Sequence, residues 1–232
     1  MLTDLWPLFG LVLRTPRLEL RLPSLEQLAV LGTLAGEGIH DPARMPFLAP
    51  WTDKAPVPRG RSVLQWTWRT WAELSADKWA LGFVVLHGGE VVGMQELLAT
   101  DFAVVREVGT GSWLGQRHQG VGIGTEMRAA VLHLAFTGLG AEEATSGAFT
   151  DNPASLAVSR KLGYVHDGVR RLKRRDEAAV EQRLRLDRAA WEAHREVPVD
   201  IEGLQPCLPL LGAAVSAAAS RPRSPASGRR RS

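Results

Sequence analysis

The stretch QRHQGVGIGTEMRAAVLHLAF, residues 116–136, places glycine at 120, 122 and 124 and then runs to Phe136 without another glycine or any proline. Glycine permits tight backbone turns and lets main-chain N–H groups approach a ligand with no Cβ in the way. The residues that follow predict a helix, whose first turn offers unpaired N–H groups and the positive end of its dipole. Glycines feeding directly into a helix make an anion site. A chain built around such a turn needs a strand before it and a helix after it.

The surrounding sequence supplies that frame. RLELRL at 17–22 alternates apolar with charged residues, as a strand with one wet face does, and Pro23 closes it. Ser24 with Gln27 three residues on predicts a capping box at the head of a helix over 24–35. A second helix is predicted over 61–76, after a loop holding Pro42, Pro46, Pro50, Pro56 and Pro58. Its Trp66, Trp68 and Trp71 are expected to pack in the core or line a groove. WALGFVVL (79–86) and VVGMQEL (91–97) predict a hairpin turned at Gly88 and Gly89, and REVGTGSWL (106–114) predicts the strand that leads into the glycines. Beyond the helix to about Thr137 come a strand (143–149), a helix (153–162) ended by Gly163, and strands at 164–169 and 181–188, with RRLKRRDEAAV between them expected as a turn region. The layout is α/β (α+β) with a mixed sheet.

Two nucleotide patterns are excluded by spacing. A dinucleotide fingerprint needs a third glycine where Met127 or Thr125 stands, and a phosphate-binding P-loop needs a lysine that follows none of these glycines. The overall charge of +3 and pI near 9.5 invite a nucleic-acid reading, but five arginines and no acid in residues 213–232 account for +5 and leave residues 1–212 at −2. That tail is small, polar and without an apolar face, so it is expected to be disordered, and nucleic acid is not the expected partner of the body. A single cysteine, Cys207, forbids an intrachain disulfide and a cysteine zinc site and suits a reducing, cytoplasmic setting. His118 and His133 form no H-x-x-x-H pair, so no metal is expected. The N-terminal residues lack the pattern of a signal peptide, and their apolar run is too broken to span a membrane. The apolar segment VDIEGLQPCLPLLG (199–212) is expected to pack across the body or a partner subunit, which suggests a homodimer.

The spacing that does fit is Gln119-Gly120-Val121-Gly122-Ile123-Gly124, a Q/R-x-x-G-x-G/A pattern between strand and helix. Here the chain resembles the GNAT superfamily of acyl-CoA-dependent N-acetyltransferases. LRTPRLELRL (13–22), GSWL (111–114) and DNPASLAVSRKLGY (151–164) are similar, in the same order, to segments of its RimJ/RimL-like branch, so the likeness runs from about 13 to 187. The resemblance implies a GNAT fold: a mixed, mostly antiparallel central sheet splayed between two strands and flanked by about four helices. It implies one domain over 1–212, with its core at about 13–190, a packing segment at 191–212 and the tail at 213–232.

It also implies acetyl-CoA as co-substrate. Ser112, Trp113 and Leu114 would pair with the pantetheine arm, Gln119, Gly120, Val121, Gly122, Ile123, Gly124 and Thr125 would hold the pyrophosphate, and Asn152 and Ser155 would lie beside the cofactor. Asn152 also reads as a helix N-cap. Arg160 and Lys161 are open between the 3′-phosphate and solvent. Acetyl transfer to a primary amine requires a base for the ammonium, donors for the oxyanion and a fate for the thiolate. The amide of Leu114 is the implied oxyanion donor. Strand alternation sets Glu107 on one face with Gly109, Gly111 and Trp113, and Glu107 is the expected base, although the branch carries its glutamate where Gly109 stands; Glu96 or a water chain is the alternative. Several family members use a tyrosine seven residues after the asparagine as acid. Ser159 occupies that position here and is read as a hydrogen-bond donor to the thiolate, the alternative being that there is no dedicated acid, whereas Tyr164 is expected to pack in the core. The expected function is N-acetyl transfer to a protein N-terminus or a small-molecule amine. The alternative is a non-catalytic acyl-CoA-binding module that keeps the fold without the base.

Overall fold

The computed structural model describes residues 1–213. The arginine-rich tail, apart from Ala213, lies outside the described residues, and so does the expectation of its disorder. The helices are α1 (Leu2–Leu5), α2 (Leu25–Glu37), α3 (Pro56–Ala72), α4 (Phe102–Val105), α5 (Ile123–His133), α6 (Pro153–Lys161) and α7 (Arg188–His194). The strands are β1 (Val12–Arg14), β2 (Leu18–Arg21), β3 (Lys78–His87), β4 (Glu90–Thr100), β5 (Glu107–Leu114), β6 (Glu143–Phe149), β7 (Val165–Arg174), β8 (Glu177–Asp187) and β9 (Asp200–Glu202). They form one sheet in the order β7-β8-β6-β5-β4-β3-β2-β1-β9. Every pairing is antiparallel except β5 with β6. The expected mixed, mostly antiparallel GNAT-type sheet is therefore present.

Burial on both faces explains the sequence of β3, which is apolar nearly throughout instead of alternating. On one face Leu81, Phe83, Leu97 and Val108 pack with Ile123, Met127, Ala130, Val131 and Leu134 from α5 and the π-helical turn (Leu134–Leu139) that extends it. On the other, Val84, Leu86, Val91 and Met94 meet Leu28, Leu31, Ala35 and Val63 of α2 and α3. The Ser24–Gln27 capping box forms as expected at the start of α2. Helix α3 begins five residues earlier than the sequence pattern predicts, because Pro56 sits in its first turn, where a missing N–H costs nothing.

Two other expectations change. Residues 170–180 are mostly strand: β7 and β8 form a long hairpin turned at Arg175 and Asp176. Arginines at its tip reach carboxylates elsewhere in the chain. Arg174 makes two 2.8 Å bonds to Asp151, and Arg175 reaches Asp53 at 2.6 and 2.8 Å. Second, the apolar C-terminal segment is used within the chain. β9 pairs with β1, Cys207 and Leu211 are fully buried, and Trp79 Nε1 donates to the Leu211 carbonyl at 3.0 Å. The homodimer expectation rested on that segment and loses its support.

α2 and α3 cross closely. A Cβ on Gly60 would lie 2.5 Å from the Gly32 carbonyl oxygen, so only glycine allows the approach. Gly60→Ala is expected to destabilise the fold by about 1–3 kcal/mol through this overpacking, measured as a lowered urea midpoint with an unchanged m-value.

Candidate active site

The pairing of β5 with β6 lasts three residues: Glu107 with Glu143, Val108 with Ala144, and Gly109 with Thr145. Beyond Thr145, β6 stays paired with β8 as far as Phe149, and β5 stays paired with β4 as far as Leu114. The two strands thus part, leaving a fork. Gly115 N–H donates to the Val92 carbonyl at 3.0 Å, and this fixes the phase of the β4–β5 ladder. By alternation the amides of Thr110, Ser112 and Leu114 point the other way, into the fork. Leu114 agrees, since its carbonyl accepts from Gln119 Nε2 at 3.0 Å instead of from β4.

The glycine loop closes one end of the fork. Gly120 and Gly122 have φ of 78° and 87°, which side chains rarely adopt, and Gly122 caps α5. The amides of residues 120 to 124 donate to no other group among the described residues. Behind the loop, the carboxylate of Glu126 accepts from Thr15 Oγ1 at 2.6 Å, from Arg17 N–H at 3.1 Å and from Arg17 Nε at 2.6 Å. Arg17 Nη1 also reaches the Val121 carbonyl at 3.2 Å, so the turn before β2 clamps the loop. Burial opposes ionisation of Glu126, but the bonds from Thr15 and Arg17 outweigh it and hold its pKa below the usual carboxylate value.

A cleft of about 1100 Å³ passes through the fork. Its far half lies on the α2–α3 face, where Phe47, Trp51 and Trp113 form a chain of aromatic contacts with ring centroids 5.3 and 6.0 Å apart. Glu96 of β4 stands opposite Gly111 of β5. Its Oε2 is 3.0 Å from where a Gly111 Cβ would be, so the bare strand makes room for the carboxylate. Trp66 Nε1 donates to Glu96 Oε1. Desolvation raises the Glu96 pKa, and the tryptophan bond offsets only part of that rise.

Residues 17–165 match the acetyltransferase (GNAT) domain family. The chain belongs to the GNAT acetyltransferases.

Solved GNAT-like structures agree on the fold. Mycobacterium smegmatis RimJ, in complex with CoA-disulfide, is 21% identical with a TM-score of 0.64, over 79% of this chain and 90% of that one. RimL, a ribosomal alpha-N-protein acetyltransferase in complex with coenzyme A, is 18% identical with a TM-score of 0.61, over 76% and 97%. The microcin self-immunity acetyltransferase MccE, in complex with acetyl-CoA and AMP, is 16% identical with a TM-score of 0.59, over 74% and 93%.

Within this GNAT fold the expected site residues separate. Ser112, Trp113, Leu114, Gln119, Gly120, Gly122, Gly124, Thr125, Asn152 and Ser155 all line the cleft. Val121 and Ile123 do not: Val121 points to solvent and Ile123 is buried in the core, so only their main chain faces the loop. The Gln119 side chain is committed to the Ile39 and Leu114 carbonyls, at 2.7 and 3.0 Å, and anchors the loop instead of facing a phosphate. Asn152 caps α6, accepting from Ser155 N–H at 3.2 Å. Lys161 lines the cleft, whereas Arg160 lies by a separate small cavity with Tyr164.

Two of the expected catalytic residues do not line the cleft. Glu107 lies at the closed end of the fork, where β5 and β6 are still paired, and does not line the cleft. Ser159 is fully buried; its hydroxyl donates to the Ser155 carbonyl at 3.1 Å, so no proton is left for a thiolate. The sequence reading missed the Glu126 clamp and the bond from Trp66 to Glu96. TPR at 15–17 and Glu126 were visible as residues, but their meeting is a tertiary fact. His118 lies beside Glu90, and His133 packs edge-on against Trp191.

Glu126→Ala is expected to cost about 1.5–3 kcal/mol of stability at neutral pH, from loss of charge-assisted bonds. Because the folded-state pKa is depressed, that contribution is present above the unfolded-state pKa and disappears as pH falls through the folded value. Urea titrations of wild type and variant at descending pH should therefore converge in acid.

Proposed function

We propose that this GNAT enzyme moves the acetyl group of acetyl-CoA to a primary amine by direct attack, with Glu96 as the base. The observation that carries the reading is the placement of Glu96, a carboxylate with a raised pKa, beside the fork into which main-chain amides point. The donor side fits a diphosphate, with free amides from 120 to 124 over the positive end of α5. When bound, acetyl-CoA supplies an activated acyl carbon and a thiol leaving group. Thr110, Ser112 and Leu114 N–H groups face the gap and would receive the developing oxyanion. Glu96 takes a proton from the incoming ammonium, and Trp66 N–H fixes the carboxylate that does so.

The acceptor half favours an amine attached to an apolar or aromatic body. Phe47, Trp51, Trp66 and Trp113 line it together with Arg44, Lys54 and Arg69; of the lining acids, Asp151 and Glu181 are already held by Arg174 and Arg170, which leaves Asp41 and Glu96. A lining with three cations against two free carboxylates disfavours polyamines and aminoglycosides, which carry several positive charges. A peptide N-terminus, in keeping with the ribosomal-protein activity named for RimL, and a small aromatic amine both satisfy it. No helix among the described residues is long and apolar enough to cross a membrane. Burial pushes the Cys207 thiol up to about 11, which keeps it unreactive and suits the reducing cytoplasm, where we place the reaction.

Thiol release from acetyl-CoA against a panel of N-terminal peptides, arylalkylamines and polyamines tests the acceptor class, with turnover expected on the first two. Glu96→Gln should lower kcat by about 10²–10⁴-fold while calorimetry shows acetyl-CoA affinity retained. Glu107→Gln should leave turnover unchanged; the reverse ranking would overturn the assignment. Since the base works only when ionised, kcat/KM should rise with pH through the elevated Glu96 pKa. Trp66→Phe, which removes a bond to the ionised form, should move that limb to higher pH.

A further inference from the structure

Arg128 lies on α5, one turn beyond the glycine loop, with 5% of its surface exposed, and it lines the cleft. Nη1 donates to Ser159 Oγ at 2.9 Å and Nη2 to Ser112 Oγ at 3.3 Å, while Nε has no partner. No carboxylate faces it among the described residues; its one ionisable neighbour is Tyr164, whose hydroxyl likewise has no partner. Burial lowers the pKa of the guanidinium, yet arginine does not deprotonate in proteins, so a full positive charge stands in the cleft without an anion. A buried, unpaired ion costs several kcal/mol. Ser159, which spends its own proton on Ser155, acts as a pure acceptor that aims this fork of N–H groups.

We infer that Arg128 is a catalytic residue that stabilises the negative charge arriving on the coenzyme A sulfur as the thioester breaks. The inference rests on the acetyl-CoA reading given above. Three placements single out the sulfur. The diphosphate belongs to amides 120–124, the last of which lies about 6 Å earlier along the helix by its rise of about 1.5 Å per residue. The acyl oxygen belongs to the amides of β5. Ser112, which Arg128 touches, and Gly111, which Glu96 faces, are consecutive on β5, so their side-chain directions are opposite faces of the sheet. The amine therefore arrives on the Glu96 side and the leaving group departs on the Arg128 side. The first proton of the ammonium leaves through Glu96 to water before attack; as the N–C bond then forms, the C–S bond breaks and its electron pair stays on sulfur, and the second proton shed by nitrogen follows through the re-ionised Glu96 to water.

The other charged or titratable groups lining the cleft are Lys161 of α6, Glu181 of β8 and Asp151 before α6, and, on the α2–α3 side across the strand, Glu96 with His40, Asp41, Arg44, Lys54 and Arg69. The test reads the thiol of bound coenzyme A directly. Calorimetry first establishes that coenzyme A binds wild type and Arg128→Met. The ultraviolet absorbance of the thiolate is then followed against pH. On wild type the thiol should ionise at a pH at least one unit below that of free coenzyme A, a tenfold or greater preference for thiolate, and Arg128→Met should abolish the shift. In turnover, Arg128→Met should lower kcat about 10²–10³-fold with KM for acetyl-CoA changed far less, and Arg128→Lys should recover part of the loss.

An unshifted thiol on wild-type protein that binds coenzyme A overturns the inference alone, whether or not any variant folds. Failure of coenzyme A to bind wild type overturns the donor site as well. A wild-type preference for succinyl-CoA over acetyl-CoA that Arg128→Met reverses would also overturn it, since Arg128 would then be reading an acyl carboxylate.

Discussion

After Gly109 and Thr145, β5 and β6 stop sharing hydrogen bonds, and the main-chain groups of Thr110, Ser112 and Leu114 face a gap instead of a strand. Each buried amide left without a partner costs about 1–3 kcal/mol. The fold sustains this because both strands are fully paired on their outer edges, with β4 and β8, and cannot close on each other without breaking those ladders. The glycine loop shuts one end of the gap, α5 and α6 floor it, and α2 and α3 shape the far side. A ligand that supplies strand-like polar groups along β5 and an anion at the loop recovers what the parted strands give up.

Much of this frame was legible in the sequence because local rules and the tertiary fold agree. Ser24 and Gln27 announced a capping box, Gly88 and Gly89 a hairpin turn, and Gly120 to Gly124 an anion-binding turn, since each is a demand on a few consecutive residues. Hairpin β7–β8 was legible only at its ends. Its middle carries arginines where an alternating apolar face was sought, and the carboxylates that Arg174 and Arg175 reach, Asp151 and Asp53, are more than 20 residues away in the chain.

The catalytic assignments divided along the same line. Alternation correctly set Glu107 on one face with Gly111, but only the register with β6, which follows 36 residues later, shows that the strands are still joined at Glu107. Glu96 reaches that face from the neighbouring strand, one step further into the fork. The spacing from Asn152 to Ser159 could be counted, whereas the destination of the Ser159 proton depends on the carbonyl one helical turn back. Glu96 and Arg128 make a matched pair of opposites: an acid whose ionisation burial opposes and a cation whose charge burial opposes, placed across a single strand. Only the first of the two can exchange a proton, so one side of the gap holds a group that titrates and the other a charge that is fixed.

The β7–β8 hairpin is fastened to the rim of the cleft differently from the glycine loop. Arg174 to Asp151 and Arg175 to Asp53 tie it down through partly exposed ion pairs, with Arg174 also donating to the Met45 carbonyl at 3.1 Å. The glycine loop is instead secured by the nearly buried Glu126. Dissolved ions weaken the first kind of fastening far more than the second. Rising ionic strength therefore weakens the ties of the hairpin to Asp53 and Asp151 while leaving the fastening of the glycine loop nearly untouched, so the two ends of one cleft answer to different features of the surrounding solution.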